Sequence, residues 1–150
     1  MYSNFLESVI ENRNILDKLF IIDNNKMGSK FTSDEFLSIL TKNTKSYFIG
    51  NKNNILIIYD GNPFITYSIL NSLDNCTNVL LFPNYSYLGV NTYLVKNYCK
   101  FNDNCRLIVD KNYNKFIHTK ELFDEIYVIG DHEMYQLIEE DFPNLKLIEE

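Results

Sequence analysis

Residues 55–64 read Ile-Leu-Ile-Ile-Tyr-Asp-Gly-Asn-Pro-Phe. The first five form a short, continuous apolar run of Ile, Leu and Tyr. Such a run suits a central parallel strand buried on both faces better than a strand with one wet face. Asp60-Gly61 then supplies a turn. Asn62-Pro63 supplies a helix cap followed by a first helical residue whose missing N–H would be unpaired in any case. Phe64, Ile65, Ile69, Leu70 and Leu73 continue at helical spacing. Strand, turn and helix in this order make the first half of a βαβ unit.

The motif recurs downstream. Val79-Leu-Leu-Phe82, Arg106-Leu-Ile-Val109 and Ile126-Tyr-Val-Ile129 are further short apolar runs, and Leu145 to Ile148 offers a last strand. Between them, Tyr87, Leu88, Asn91, Leu94, Val95 and Tyr98 mark one helix. Asp131 caps another that contains Met134, Tyr135, Leu137 and Ile138. The alternation predicts an α/β fold: a three-layer Rossmann-like sandwich with a mostly parallel sheet of about five strands and right-handed crossovers.

Upstream, Phe5, Leu6, Val9, Ile10, Leu16, Leu19 and Phe20 predict one amphipathic helix from Ser3 to about Phe20. A polar break over Asn24 to Lys30 follows. Thr32 with Glu35 reads as a capping box opening a second helix that ends near Asn43. Two N-terminal helices, residues 1–45, are therefore expected to pack on a βαβ core of residues 46–150 in one domain. No repeat, low-complexity tract or Pro/Gly/Ser-rich linker divides the 150 residues.

Composition narrows the function classes. The chain is 45% hydrophobic and 15% aromatic, with 11 Tyr and 11 Phe, which supplies a core without metal or disulfide support. A net charge of -6 with scattered lysines argues against nucleic acid or an anionic membrane as partner. The apolar runs fall far short of the roughly 20 residues a spanning helix requires. Three cysteines, Cys76, Cys99 and Cys105, without a CxxC pair, and no secretion leader, make a cytoplasmic location the expectation.

Ligands of open parallel sheets bind at the carboxyl ends of the strands, where helix N-termini present N–H groups to anions. Three loops occupy such positions, and they supply the candidate cofactor-binding residues. These are Asp60, Gly61 and Asn62, then Pro83, Asn84 and Ser86, then Gly130, Asp131 and His132. Neither His118 nor His132 has a metal-ligand partner at suitable spacing, and no dinucleotide, P-loop, nucleophile-elbow or zinc-protease motif is present.

The segment from about Ile55 to Glu149 resembles the cofactor-binding half of the aldehyde dehydrogenase and acyl-CoA reductase superfamily. Asp60-Gly-Asn-Pro-Phe64 is similar to that family's Trp-Asn-Phe-Pro turn, and Cys76-Thr-Asn-Val-Leu-Leu-Phe-Pro83 to its Gly-Asn-x-Val-hydrophobic strand. Asp124-Glu-Ile-Tyr-Val-Ile-Gly-Asp131 is similar to its Asp-x-Ile-x-Phe-Thr-Gly-Ser strand and turn, and Leu147-Ile-Glu149 to the stretch that carries its general base.

The departures matter as much. Phe82 stands where the family has a ribose-binding Lys, and Tyr135 falls near the second glycine of its pyrophosphate loop. The sequence holds no counterpart of the domain with the nucleophilic Cys. Of the family's catalytic groups, Asn62 matches the oxyanion-stabilising Asn, which cannot run thiohemiacetal chemistry without a nucleophile.

The resemblance implies a degenerate, non-catalytic or regulatory relative whose retained ligand would be NAD(P), another nucleotide or CoA. Two other classes stay open. One is an interaction protein, either a homodimer or a chain completed by a separately encoded partner. The other is a small enzyme in which Asp60, Asp131 and His132 converge.

Overall fold

The computed structural model describes residues 4–42, 46–47, 54–73, 77–82, 86–102, 105–109, 123–142 and 145–149. In chain order the elements are α1 (Asn4–Glu11), α2 (Arg13–Met27), α3 (Ser33–Lys42), β1 (Asn54–Ile58), α4 (Pro63–Ser72), β2 (Thr77–Phe82) and α5 (Leu88–Cys99). They continue with β3 (Cys105–Val109), β4 (Glu125–Ile129), α6 (His132–Ile138) and β5 (Leu145–Ile148). The chain is α/β, and its strands lie on the continuous apolar runs.

The sheet order is β3-β2-β1-β4-β5, and every neighbouring pair is parallel. From β1 the chain steps outward through β2 to β3, then returns to the other side of β1 for β4 and steps outward again to β5. Right-handed crossovers in opposite lateral directions must lie on opposite faces. The packing follows this rule. Ile55, Ile57, Tyr59, Tyr127 and Ile129 face α4 and α5, whereas Leu56, Ile58, Ile126 and Val128 face Met134 and Ile138 of α6.

The helical face is unusually deep. Seven of the ten residues of α4 are buried, from Pro63 to Leu70, because α1 and α3 cover its outer side. Phe5 stacks on Tyr67 with centroids 5.1 Å apart, and Phe36 meets Phe64 at 5.2 Å. A helix sandwiched in this way must be apolar nearly all round. The N-terminal helices thus share one core with the sheet, through Val9, Leu16, Phe20, Phe36 and Leu40.

The expected pair of N-terminal helices is corrected to three. The first stretch breaks at Asn12, whose φ of -103° and ψ of 48° leave the helical region, while its carbonyl accepts from the N–H groups of Ile15 and Leu16. The break re-aims the apolar stripe, so α1 packs on α5 while α2 packs on both α5 and α3. The expected polar break at Asn24 is also displaced: α2 runs to Met27 and stops at Gly28, whose φ of 67° suits a glycine C-cap. Two of its polar residues have partners outside the helix, as Asn24 Nδ2 donates to the Phe31 carbonyl at 2.6 Å and Asp23 is engaged by α5. The Thr32 cap forms as read, with its Oγ1 accepting from Glu35 N at 3.1 Å. Cys76 and His118 lie outside the described residues.

Buried polar groups fix α1 on α5. Ser8 Oγ donates to Asn97 Oδ1 at 2.5 Å, Asn97 Nδ2 to the Tyr93 carbonyl at 2.8 Å, and Tyr93 OH to the Val9 carbonyl at 2.7 Å. Burial pushes the Tyr93 phenol pKa up. The Asn97 hydrogen bond opposes that rise, and the nearby Glu11 carboxylate adds to it.

Two outcomes test this packing. Leu16 is fully buried, so Leu16→Ala is expected to cost about 2–5 kcal/mol in a single denaturant transition; a separate early transition would mean that the N-terminal helices unfold on their own. A raised phenol pKa contributes stability that is intact below about pH 10 and lost as pH rises through the folded value. Tyr93→Phe should therefore melt lower than the parent at neutral pH yet lose less stability above about pH 10, as read by thermal melts across an alkaline series.

Candidate functional site

The lateral direction of the chain reverses between β1 and β4, which makes the carboxyl ends of these two strands the natural crevice of the fold. Ile58 pairs with Val128, so the loops after the two strands leave side by side. The first carries Asp60, Gly61 and Asn62, and the second Gly130, Asp131 and His132. Both glycines have positive φ, 85° at Gly61 and 70° at Gly130, where a side chain would be strained. Six of the nine candidate residues therefore occupy adjacent loops. Pro83 and Asn84 lie outside the described residues, and Ser86 opens the approach to α5.

The four of the six that carry side chains each have a partner. Asp60 Oδ1 accepts from Asn62 N at 2.9 Å, an Asx turn, and Asn62 Oδ1 caps α4 by accepting from Phe64 N at 2.9 Å. Asp131 Oδ1 caps α6 by accepting from Met134 N at 2.9 Å. His132 Nε2 sits 3.0 Å from Glu149 Oε1, both side chains being well exposed at 59% and 75%. Exposed pairs of this kind contribute little to stability. The geometry thus commits Asp60, Asp131 and His132 to three separate contacts.

Beneath the loops lies a buried polar chain that the sequence did not single out. Asn91 of α5 is fully buried. Its Nδ2 donates to the Gly61 carbonyl and, at 2.9 Å, to the Ser86 carbonyl, while its Oδ1 accepts from Thr66 Oγ1. Thr66 Oγ1 in turn lies 2.6 Å from Tyr59 OH. One amide therefore ties the loop after β1 to the segment before α5. Asn91 stood in the predicted helix, but nothing in its neighbourhood distinguished it from a solvated Asn.

The third helix start at this edge, that of α5, is closed from a distance. Asp23, 2% exposed on α2, accepts from Gly89 N at 3.1 Å through Oδ1 and from Val90 N at 2.8 Å through Oδ2. A Cβ on Gly89 would stand 3.0 Å from Asp23 Oδ1 and 3.3 Å from Leu19 Cδ2, so glycine is what lets the carboxylate approach. Tyr87, immediately before α5, adopts a left-handed φ of 49°; its hydroxyl donates to Ser29 Oγ at 2.6 Å. Phe31 meets both Phe64 and Tyr87, at centroid distances of 5.9 and 6.3 Å, an aromatic cluster beside the crevice.

No Lys or Arg occurs in residues 59–66, 86–95 or 125–138, so the described loops and helix starts around the crevice carry only acidic charge. Among the described residues, no group of three or more His, Cys, Asp or Glu side chains is placed to hold a metal ion, and no helix is long and apolar enough to cross a membrane. Comparison with protein-family models, with curated proteins and with solved structures gives no match.

Removing the Asp23 carboxylate takes the partner from a buried N–H, that of Val90, and a half-buried one, that of Gly89, at the start of α5. Asp23→Ala is expected to lower stability by about 1–3 kcal/mol. Gly89→Ala should also destabilise by crowding the same contact, and the pair should be less than additive. Additive losses in a double-mutant cycle would show that the two positions act independently.

Proposed function

We propose that this chain is a non-catalytic, regulatory protein on a Rossmann-like core, not a working dehydrogenase. The observation that carries the reading is the closure of the three helix N-termini found among the described residues at the carboxyl edge of the sheet by the protein's own side chains: Asn62 for α4, Asp23 for α5 and Asp131 for α6. These are the positions at which such folds hold a cofactor's phosphates. Two of the three capping groups are carboxylates, which repel a second anion. The side chains a strand-end enzyme would deploy are engaged with neighbours of their own.

The strand order supports the Rossmann-like assignment, since 3-2-1-4-5 is the order of the first five strands of the doubly wound dinucleotide fold. Descent from the aldehyde dehydrogenase cofactor domain belongs to the same proposal. The segments that carry that resemblance fall in chain order on β1 and its turn, β2, β4 and its turn, and β5.

A second reading keeps a nucleotide or acyl-CoA in the crevice. It rests on the adjacent positive-φ glycines, Gly61 and Gly130, at the switch point, with the Phe31, Phe64 and Tyr87 rings available to a base or thioester arm.

Thermal melts with NAD, NADP, CoA and acetyl-CoA, together with an assay for NADH formation from aldehydes, separate the readings. The first expects no turnover and no stabilisation. A ligand held at about 100 times its Kd would add about 2.7 kcal/mol. A shift of that kind, abolished by Gly130→Val, would establish the second reading, and NADH formation would overturn the non-catalytic one.

A further inference from the structure

A groove of about 540 Å³ runs between α2 and α5. That volume falls inside the roughly 300–1,000 Å³ range of small-molecule sites, which are mostly apolar with a few placed polar groups. Its apolar lining comes from Ile15, Leu19 and Ile22 of α2 and from Leu88 and Tyr93 of α5. Three of these residues are open to solvent: Ile15 is 50% exposed, Ile22 49% and Leu88 36%.

The charge that this lining offers has one sign. Its charged members are Asp23, Lys26 and Lys96. Asp23 is 2% exposed, and its two oxygens accept from the N–H groups of Gly89 and Val90. Its carboxylate is therefore spent on α5. Lys26 and Lys96 are exposed. An incoming molecule meets an apolar lining and two ammonium groups, on a chain whose net charge is -6.

We propose that this groove binds a free single-chain amphiphilic anion, a carboxylate of the fatty-acid class. The apolar tail lies along Ile15, Leu19, Ile22 and Leu88, and the carboxylate pairs with Lys26 or Lys96. The lysines select the head group: an apolar molecule without one leaves both cations unused, and a cationic amphiphile is repelled. A lysine stem can lie along the tail while its ammonium stays in water beside the head group. Exposed ion pairs add little affinity, so burial of the tail supplies most of the binding and the lysines decide which head is accepted.

The size of the surface also favours a small molecule. The α2 side, from Ile15 to Lys26, is about 16 Å long on a helix about 10 Å wide. That is far below the roughly 800 Å² each protein contributes to a standard interface. The inference is independent of the crevice and of any ligand there.

Isothermal titration calorimetry of the full chain with octanoate, decanoate and dodecanoate, each kept monomeric, tests it. Dodecanoate is expected to bind with a Kd of about 1 mM or tighter, and Kd should fall about two- to fourfold for each added CH₂. Dodecyltrimethylammonium should bind more weakly than dodecanoate. Ile22→Glu should abolish binding with an unchanged circular dichroism melt, because Ile22 is half exposed. Reversing both lysines, Lys26→Glu with Lys96→Glu, should weaken dodecanoate about fivefold or more. No saturable binding of dodecanoate would overturn the proposal, as would equal affinity for the ammonium amphiphile or indifference to Ile22→Glu. Binding to phosphatidylglycerol vesicles without binding of monomeric dodecanoate would overturn it in favour of a membrane surface. A ligand-free chain that dimerises in sedimentation equilibrium, and that Ile22→Glu returns to monomer, would overturn it in favour of a second copy.

Discussion

The side-chain amide of Asn91 is the contact on which the carboxyl edge of the sheet depends. It lies fully buried on α5 and bonds the Gly61 carbonyl, the Ser86 carbonyl and Thr66 Oγ1. The Gly61 carbonyl, buried beside it, would otherwise lose this partner, at a cost of about 1–3 kcal/mol. The amide has two donors and an acceptor, and all three are used here. No aliphatic replacement could satisfy the carbonyls, and an acid could not donate to them. The turn after β1 and the entry to α5 are thereby fixed relative to each other, and β1 with its neighbours carries the rest.

A parallel sheet imposes its own requirement, because its strands hide both faces and need cover on both. Among the described residues the cover is unequal. One face carries α6, and the other carries α4 and α5 with α1 to α3 laid over them. The added helical layer makes α4 a core helix. It also brings the Asp23 carboxylate to the start of α5 and the Phe31 ring to Phe64 and Tyr87. The N-terminal helices therefore do more than cap the domain: they occupy one of the positions where a fold of this kind offers its backbone to an anion. Among the described residues, acidic side chains take two of the three such positions, on a chain with a net charge of -6.

Exposure along α2 divides by face: Leu16 and Asp23 are buried, and Asp23 is bonded to the start of α5, whereas Ile15 and Ile22 are about half exposed.

Short-range physics made much of this legible. The continuous apolar runs marked the buried strands, Asn62-Pro63 and Asp131 marked helix starts, and Thr32 with Glu35 marked a capping box, because backbone periodicity and cap chemistry are local properties of consecutive residues. The break at Asn12 and the roles of Asp23 and Asn91 were not legible. Asp23 meets Gly89 and Val90 across more than 60 positions of chain, and a carboxylate in a polar-looking helix gives no sign of a partner so distant. The sequence by itself determined which segments become strands and helices and how they begin. Only the tertiary structure decided which polar side chains are buried and what they hold, since burial depends on which surfaces meet when the chain closes on itself.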